Sequence, residues 1–271
     1  MELHRADESV DGLFGNKVRV IQSRKGYRVS EDAIILTWFA RSNAGERIMD
    51  AGTGCGVIAF GMAMRDPSVT VVGVEIQRDL ADRASRGVKL NGLAERVFIV
   101  QGDVTKADHF FRHGSFDFIV CNPPYYEPGR GRINPQHERA LCRHQLSMPI
   151  PQLFSVAKAL LRDFGRLDLI YPSAGIDGIF NALKGTGFQI TRMLWIHPQQ
   201  EAPPGHVCLE LALTERTQET FEGHLYLYDT QHQRTPFARA ILSGEQSADE
   251  GPYGSREDVK AGGYLGRIRK N

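Results

Sequence analysis

The chain has 271 residues, of which 41% are hydrophobic and 24% are charged, as is usual for a globular protein with a core of normal size. Its formal net charge of +1 excludes an overall basic field, so any site for a polyanion must be a local patch. No apolar run approaches the ~20 residues of a membrane span, and residues 1–11 are polar, without the apolar region of a signal peptide. We therefore expect a cytoplasmic protein without membrane contact.

Residues 14–30 alternate around Lys25-Gly26, and this pattern predicts a hairpin that turns at that dipeptide. From residue 47 onward, short apolar runs alternate with amphipathic stretches. The apolar runs predict seven strands, at residues 47–50, 69–75, 97–100, 116–121, 166–171, 189–196 and 207–213. The amphipathic stretches predict helices at residues 57–65, 78–91, 150–162 and 173–184.

Strands that alternate with helices predict an α/β fold, with a mostly parallel sheet covered by helices on both faces. We expect an N-terminal hairpin and helix at residues 1–45, packed on one domain at residues 46–242, and a flexible tail at 243–271. Ligands of such sheets bind at the carboxyl ends of the strands, so the turns after the strands are the candidate site.

The turn after the first of these strands is glycine-rich and reads DAGTGCG at residues 50–56. Glycines permit positive φ and a close approach of a ligand to the backbone. The turn lacks the last glycine of G-x-G-x-x-G, and Asp50 would repel a diphosphate but attract a cationic ligand. These features favour a cationic nucleoside ligand over a dinucleotide.

Acidic residues also follow the next two strands. Glu75 could accept hydrogen bonds from ribose hydroxyls, a role that serves NAD and S-adenosylmethionine (SAM) alike, and Asp103 could accept one from an adenine amino group. Each acid, taken alone, is equally explained as a cap of the following turn or helix. Three acids at the ends of successive strands indicate a nucleoside site.

The turn after the fourth strand reads NPPYY at residues 122–126. Two prolines remove two backbone donors, so this turn presents carbonyl groups, and Asn122 adds a side-chain acceptor. Asn122 Oδ1 and the Pro123 carbonyl can accept hydrogen bonds from a conjugated amino group, and Tyr125 offers an aromatic ring on which a base can stack. The pattern predicts methyl transfer to an amino nitrogen, a reaction that needs no metal.

These motifs together resemble those of class I SAM-dependent methyltransferases with an N-P-P-Y motif, which share a Rossmann-like seven-stranded sheet. The segment GYRVSEDAIIL at residues 26–36 is similar to the segment that precedes the cofactor domain in bacterial tRNA1(Val) adenine N(6)-methyltransferases. The resemblance implies SAM as cofactor and the 6-amino group of an adenine in RNA, with tRNA expected, as target. It implies Asn122, Pro123 and Tyr125 as catalytic residues, and as cofactor-binding residues Asp32, Asp50, Gly52, Gly54, Gly56, Glu75, Ile76, Asp103, Val104 and Asn122.

A basic loop follows the NPPYY turn and predicts phosphate contacts beside a flipped base. Its arginines are Arg130, Arg132, Arg139 and Arg143, although charge runs of this kind are often only solvated. Three alternatives remain: a protein glutamine methyltransferase, an amino-methyltransferase of rRNA or DNA, and a non-catalytic or NAD-dependent nucleotide-binding protein.

Overall fold

The computed structural model of the chain describes residues 3–25, 28–124, 148–214 and 220–245. The strands in these ranges are β1 (Glu8–Leu13), β2 (Val18–Ser23), β3 (Arg47–Ala51), β4 (Thr70–Glu75), β5 (Val97–Gln101), β6 (Phe116–Cys121), β7 (Leu161–Pro172), β8 (Phe188–Gln199), β9 (His206–Leu213) and β10 (Phe221–Tyr228). The α-helices are α1 (Glu31–Phe39), α2 (Val57–Arg65), α3 (Arg78–Leu90), α4 (Ile150–Leu160), α5 (Ile176–Leu183) and α6 (Pro236–Ser243). Short 3-10 helices cover Val104–His109 and Ser173–Gly175.

Eight strands form one sheet in the order β10-β8-β9-β7-β6-β3-β4-β5. Neighbouring strands pair in parallel except for β9, which is antiparallel to both β7 and β8. The parallel strands therefore all end on one side of the sheet, which we call the carboxyl edge. The predicted mostly parallel α/β sheet is confirmed, but it has eight strands and not seven.

The additional strand is β10, which lies at the edge of the sheet beside β8. Gly223 and Leu225 are buried, whereas the residues between and after them are only partly buried. This alternation, together with Phe221 and two tyrosines, is the period-two signal of a half-buried strand. The sequence therefore contained a signal for β10 that the prediction of seven strands overlooked.

The predicted N-terminal hairpin exists, but its predicted turn was wrong. β1 and β2 pair antiparallel, so the turn of this hairpin lies between Leu13 and Val18, whereas Gly26 of the predicted turn lies outside the described residues. Phe14, Gly15 and Asn16 adopt left-handed φ values of 50°, 63° and 68°. Glycine and asparagine adopt this conformation at low cost, which explains why the turn lies there.

Helices cover both faces of the sheet, as predicted. One face packs against α1, α2, α3 and α6, and the other packs against α4, α5 and the 3-10 helix Val104–His109. Val18 and Val20 of the hairpin belong to the first of these two apolar clusters. In the part of the chain that the structure describes, no helix is long and apolar enough to cross a membrane. The division into three segments stays a prediction, and residues 246–271 of the expected tail lie outside the described ranges.

Candidate active site

A cavity of about 320 Å³ opens at the carboxyl edge, beside the ends of β3, β4, β5 and β6. The turns that follow these four strands form one side of it, and residues of β2, α1 and the segment between them form the other. Of the residues predicted from the sequence, those that line the cavity are Gly52, Gly54, Glu75, Ile76, Asp103, Val104, Asn122 and Pro123.

The glycine turn after β3 exposes its backbone to this cavity. Gly52 and Gly54 have φ values of 80° and 58°. A Cβ atom placed on Gly54 would meet nothing within 4 Å, and one on Gly52 would meet only Met148 Cε, at 3.5 Å. A side chain at either position would therefore project into open space that a ligand can use.

Gly56 does not line the cavity, and its position requires glycine because of packing and not because of a ligand. It caps α2 with a φ of 93°, and a Cβ atom there would lie 2.3 Å from the Phe60 ring. Packing against Phe60, together with the left-handed conformation, excludes other residues at this position. The structure thus places Gly56 behind the glycine turn, whereas the sequence predicts a ligand contact.

Asp50 is fully buried beneath the turn and is likewise absent from the cavity lining. Its Oδ2 atom accepts hydrogen bonds from Thr53 Oγ1 at 2.5 Å and from the backbone N–H of Ala59 at 3.0 Å. Burial raises the pKa of Asp50 to about 7, against the effect of these hydrogen bonds, and the nearby charge of Glu75 adds to the rise. In this position Asp50 holds the turn against α2, and its predicted role in cofactor binding stays a prediction.

Glu75, at the end of β4, connects the glycine turn to α3. Its carboxylate accepts hydrogen bonds from the backbone N–H of Gly54 at 2.9 Å and from that of Gln77 at 2.8 Å. Burial raises the pKa of Glu75, and these backbone hydrogen bonds offset part of that rise. Because a carboxylate has about four acceptor positions, Glu75 keeps acceptor capacity for a ligand in the cavity that it lines.

Asp103, after β5, combines the two roles that the sequence left open. Its Oδ1 atom accepts hydrogen bonds from Thr105 N at 2.9 Å and Thr105 Oγ1 at 2.7 Å, so it caps the 3-10 helix Val104–His109. Its Oδ2 atom lies 3.8 Å from Lys106 Nζ, and the residue also lines the cavity. Capping therefore orients a carboxylate that is also placed to meet a ligand.

Asn122 and the two prolines follow β6, the strand next to β3. Ala51 and Cys121 pair in register, and Cys121 Sγ donates to the Ala51 carbonyl at 3.2 Å. The glycine turn and the Asn122 turn therefore begin one strand spacing apart, about 4.8 Å. Asn122, Pro123 and Pro124 all line the cavity, so an amide and two peptide groups without N–H face the same space as Gly52 and Gly54.

One further predicted residue that the structure describes, Asp32, is not part of this lining. Asp32 lies on α1, with its Oδ1 atom 4.0 Å from His206 Nδ1, although its neighbour Ala33 lines the cavity. Tyr125 and the four arginines of the basic loop lie outside the described residues.

The opposite side of the cavity contains residues that the sequence reasoning missed, among them Gln22, Ser30 and Arg83. Glu8 of β1, with a side chain 1% exposed, accepts from Arg83 Nε at 3.1 Å and Arg86 Nη1 at 2.6 Å. The hydrogen bond from Arg86 is the main reason that the pKa of Glu8 falls to about 2. These ion pairs attach the hairpin to α3 and so complete the cavity, a contact that no local motif indicates.

The fold and this site define a methyltransferase. The model of the methyltransferase small domain family matches residues 32–171, slightly more than half of the chain, and the chain belongs to that family. The predicted family resemblance is thereby confirmed. A solved structure with the same fold, a predicted O-methyltransferase from Agrobacterium tumefaciens, has a TM-score of 0.64 and 22% identity, covering 80% of this chain and 97% of the other.

Among curated proteins, the chain is similar to enzymes named tRNA1(Val) (adenine(37)-N6)-methyltransferase. The one from Tolumonas auensis is 27% identical over 79% of this chain and 88% of the relative. The one from Vibrio vulnificus is 26% identical over 80% of this chain and 88% of the relative. The one from Porphyromonas gingivalis is 32% identical over 54% of this chain and 58% of the relative.

Proposed function

We propose that this chain transfers the methyl group of SAM to the 6-amino group of an adenine in RNA, with tRNA as the substrate. The observation that carries the proposal is that the Asn122 turn and the glycine turn line one cavity. A methyl donor held by the glycine turn and an amino group held by Asn122 would thus meet in the same space.

The described residues fit the nucleoside part of SAM. Glu75 offers carboxylate acceptors for the two ribose hydroxyls, and Asp103 offers one for the amino group of the adenine ring. Ile76 and Val104 line the cavity beside these acids, so apolar side chains are available to contact the ring faces. The open space beside Gly52 and Gly54 accommodates the amino-acid part.

The Asn122 turn would position the amino group that receives the methyl. When bound, SAM supplies an electrophilic methyl on a cationic sulfonium, which becomes a neutral thioether on transfer. Asn122 Oδ1 and the Pro123 carbonyl accept the two N–H groups of an exocyclic amine, because neither Pro123 nor Pro124 can donate. Accepting both N–H groups draws the nitrogen lone pair out of conjugation and towards the methyl, and the amine loses one proton to solvent.

Positioning of this kind accounts for much of the expected rate. Reactants held in a productive geometry gain up to roughly 7–11 kcal/mol over free encounter in solution. Asp50 beneath the turn and Glu75 in the cavity wall fix the glycine turn by accepting hydrogen bonds from the backbone N–H groups of Ala59 and Gly54. The chain itself thus supplies a rigid donor side and an acceptor pair for the amine.

The substrate class rests on the curated relatives, whose names agree with the adenine and tRNA expected from the sequence. In this proposal the arginines of the basic loop, Arg130, Arg132, Arg139 and Arg143, contact RNA phosphates. A cytoplasmic location, where tRNA is modified, belongs to the same proposal.

The test is incubation of the full chain with SAM and bulk tRNA from a strain that lacks this enzyme, followed by nucleoside mass spectrometry. We expect N6-methyladenosine to accumulate with wild-type protein and not with the Asn122→Ala variant. Methylated glutamine in added protein, with no methylated nucleoside, would instead establish the glutamine methyltransferase alternative.

A further inference from the structure

Aromatic rings occupy one level of the sheet across several strands of the carboxyl edge. Tyr171 on β7 pairs with Val207 on β9, which pairs with Trp195 on β8, which pairs with His224 on β10. Tyr171 and Trp195 both pack from the α4 and α5 face of the sheet. The rings of Tyr171, Trp195 and His224 therefore lie in a row on one face, interrupted by Val207 on β9, and all three are partly exposed.

The same level contains the Asn122 turn. Cys121 pairs with Leu169, so Pro123, two residues further along the chain, lies level with Tyr171. Cys121 and Leu169 also belong to the apolar cluster of the α4 and α5 face. From β6 to β10 there are four strand spacings, roughly 19 Å in total. The rings on β7, β8 and β10 thus lie between the proposed catalytic turn after β6 and the edge of the sheet.

At the edge strand the ring of His197 lies tilted against those of His224 and Tyr226, which are nearly parallel to each other. His197 pairs with Tyr226 across β8 and β10, and their ring centres lie 4.8 Å apart. The ring of His224 lies 5.1 Å from that of His197 and at an angle of 12° to that of Tyr226. We call Tyr171, Trp195, His197, His224 and Tyr226 the ring row.

Hydrogen bonds orient the two histidines of the ring row. The Ala202 carbonyl can only accept, so His197 Nδ1 donates to it at 2.8 Å. In neutral His197 the Nε2 atom is then the acceptor, and His224 Nδ1 donates to it at 2.9 Å. His224 Nε2 consequently keeps its lone pair as an acceptor for a ligand. Burial, and the proximity of His197, lower the pKa of His224, which favours the neutral form of its imidazole.

We infer that the ring row binds unpaired nucleotides of the substrate RNA that adjoin the target adenine, by stacking of their bases. This inference rests on the proposed function. Unpaired RNA bases are recognised by stacking on aromatic side chains and by hydrogen bonds to their edges, and the ring row offers both. Because Tyr171, Trp195 and His224 lie on the level of the Asn122 turn, we expect the bound nucleotides to belong to the same strand as the adenine.

The experiment measures binding, not turnover. A single-stranded RNA oligonucleotide with 2-aminopurine beside a central adenine is titrated with the full chain, wild type or variant, and stacking is followed by fluorescence quenching. Tyr226→Leu keeps the bulk of the side chain but loses the aromatic ring, and it should weaken RNA affinity about tenfold and reduce the quenching. Tyr226→Phe should restore both to within about twofold, because stacking needs the ring and not the hydroxyl.

Phe221→Leu is the matched control. Phe221 lies on the same strand and is 57% exposed, but it stands at the other end of β10, away from the carboxyl edge. We expect its variant to bind RNA like the wild type. Calorimetry with SAM reports whether each variant keeps a folded cofactor site.

The outcomes separate this inference from the proposed function. If Tyr226→Leu leaves the RNA affinity unchanged in a protein that methylates tRNA, the ring row does not bind RNA and the proposed function still stands. Equal losses for Tyr226→Leu and Phe221→Leu, or a parallel loss of SAM affinity, show a structural role and also overturn it. If RNA binding depends on the Tyr226 ring but the protein methylates no RNA adenine, the ring row binds RNA and the proposed reaction is wrong.

Discussion

The carboxyl edge contains two regions that the chain builds in different ways. In the turns after β3, β4 and β5, each acidic side chain accepts a backbone N–H nearby, as Glu75 does from Gln77 and Asp103 from Thr105. In the ring row, contacts run between strands that are distant in the chain, such as His197 with His224. The first region is thus organised mainly by local hydrogen bonds, and the second by strand order. Changes in the first region should therefore act on the cofactor, and changes on the target side should act on RNA and turnover.

The largest expected effect comes from Asn122, which lies where the two regions meet. Asn122→Ala removes an acceptor that acts on the reacting amine, and loss of one such transition-state contact costs roughly 10²–10³-fold in rate. We expect a fall of that size in kcat, measured with tRNA, and an unchanged SAM affinity by calorimetry. Asn122→Asp keeps an acceptor oxygen and should recover part of the rate. A weakened SAM affinity would show that Asn122 belongs to the cofactor region.

Glu75 tests the cofactor region itself. Glu75→Gln replaces a charged acceptor by a weaker neutral one, and hydrogen bonds to charged groups contribute roughly 1.5–3 kcal/mol. SAM affinity should fall about ten- to hundredfold in calorimetry, while RNA affinity stays the same. Asp79→Asn is the matched control, since Asp79 lies exposed in the first turn of α3 and outside the cavity. Equal losses in both variants would mean that general charge, and not the carboxylate in the cavity, attracts the cofactor.

Glu8 tests how the N-terminal hairpin completes the cofactor region. The pKa of Glu8 is lowered from 4.5 to about 2 in the folded chain, so the unfolded chain binds more protons between those pH values. The stabilisation is therefore complete above pH 4.5 and is lost as the pH falls towards 2. We expect Glu8→Gln to lower the free energy of unfolding by about 3 kcal/mol at pH 7 and by much less at pH 3. Urea unfolding at the two pH values measures this, and an equal loss at both would contradict the charge-based explanation.

The smallest expected effect concerns the basic loop on the target side. Arg130→Ala combined with Arg132→Ala should weaken tRNA affinity about tenfold and reduce its salt dependence, because fewer counterions are released. SAM affinity should not change. Lys184→Ala, at an exposed position beyond the end of α5, is the control and should leave tRNA binding as it is. A joint loss of tRNA and SAM affinity would indicate that the loop supports the fold.

Much of the site could be predicted because its residues directly follow strands. Glu75, Asp103 and Asn122 each come within two residues of a strand end, and parallel strands bring such positions together. The directions in which Asp50 and Gly56 face could not be predicted in this way. Both lie in the glycine turn, yet the turn directs one towards Ala59 and the other towards Phe60, and only the folded backbone decides such directions.

The sequence by itself determined the α/β alternation, the glycine turn and the acids and amide at successive strand ends, because these depend on short-range periodicity and turn chemistry. Tertiary structure alone decided that Glu8 attaches the hairpin to Arg83 and Arg86, and that β10 pairs beside β8. It also decided that Tyr171, Trp195 and His224 share one level. These contacts join residues that are far apart in the chain, and they form only because the folded sheet orders its strands differently from the chain.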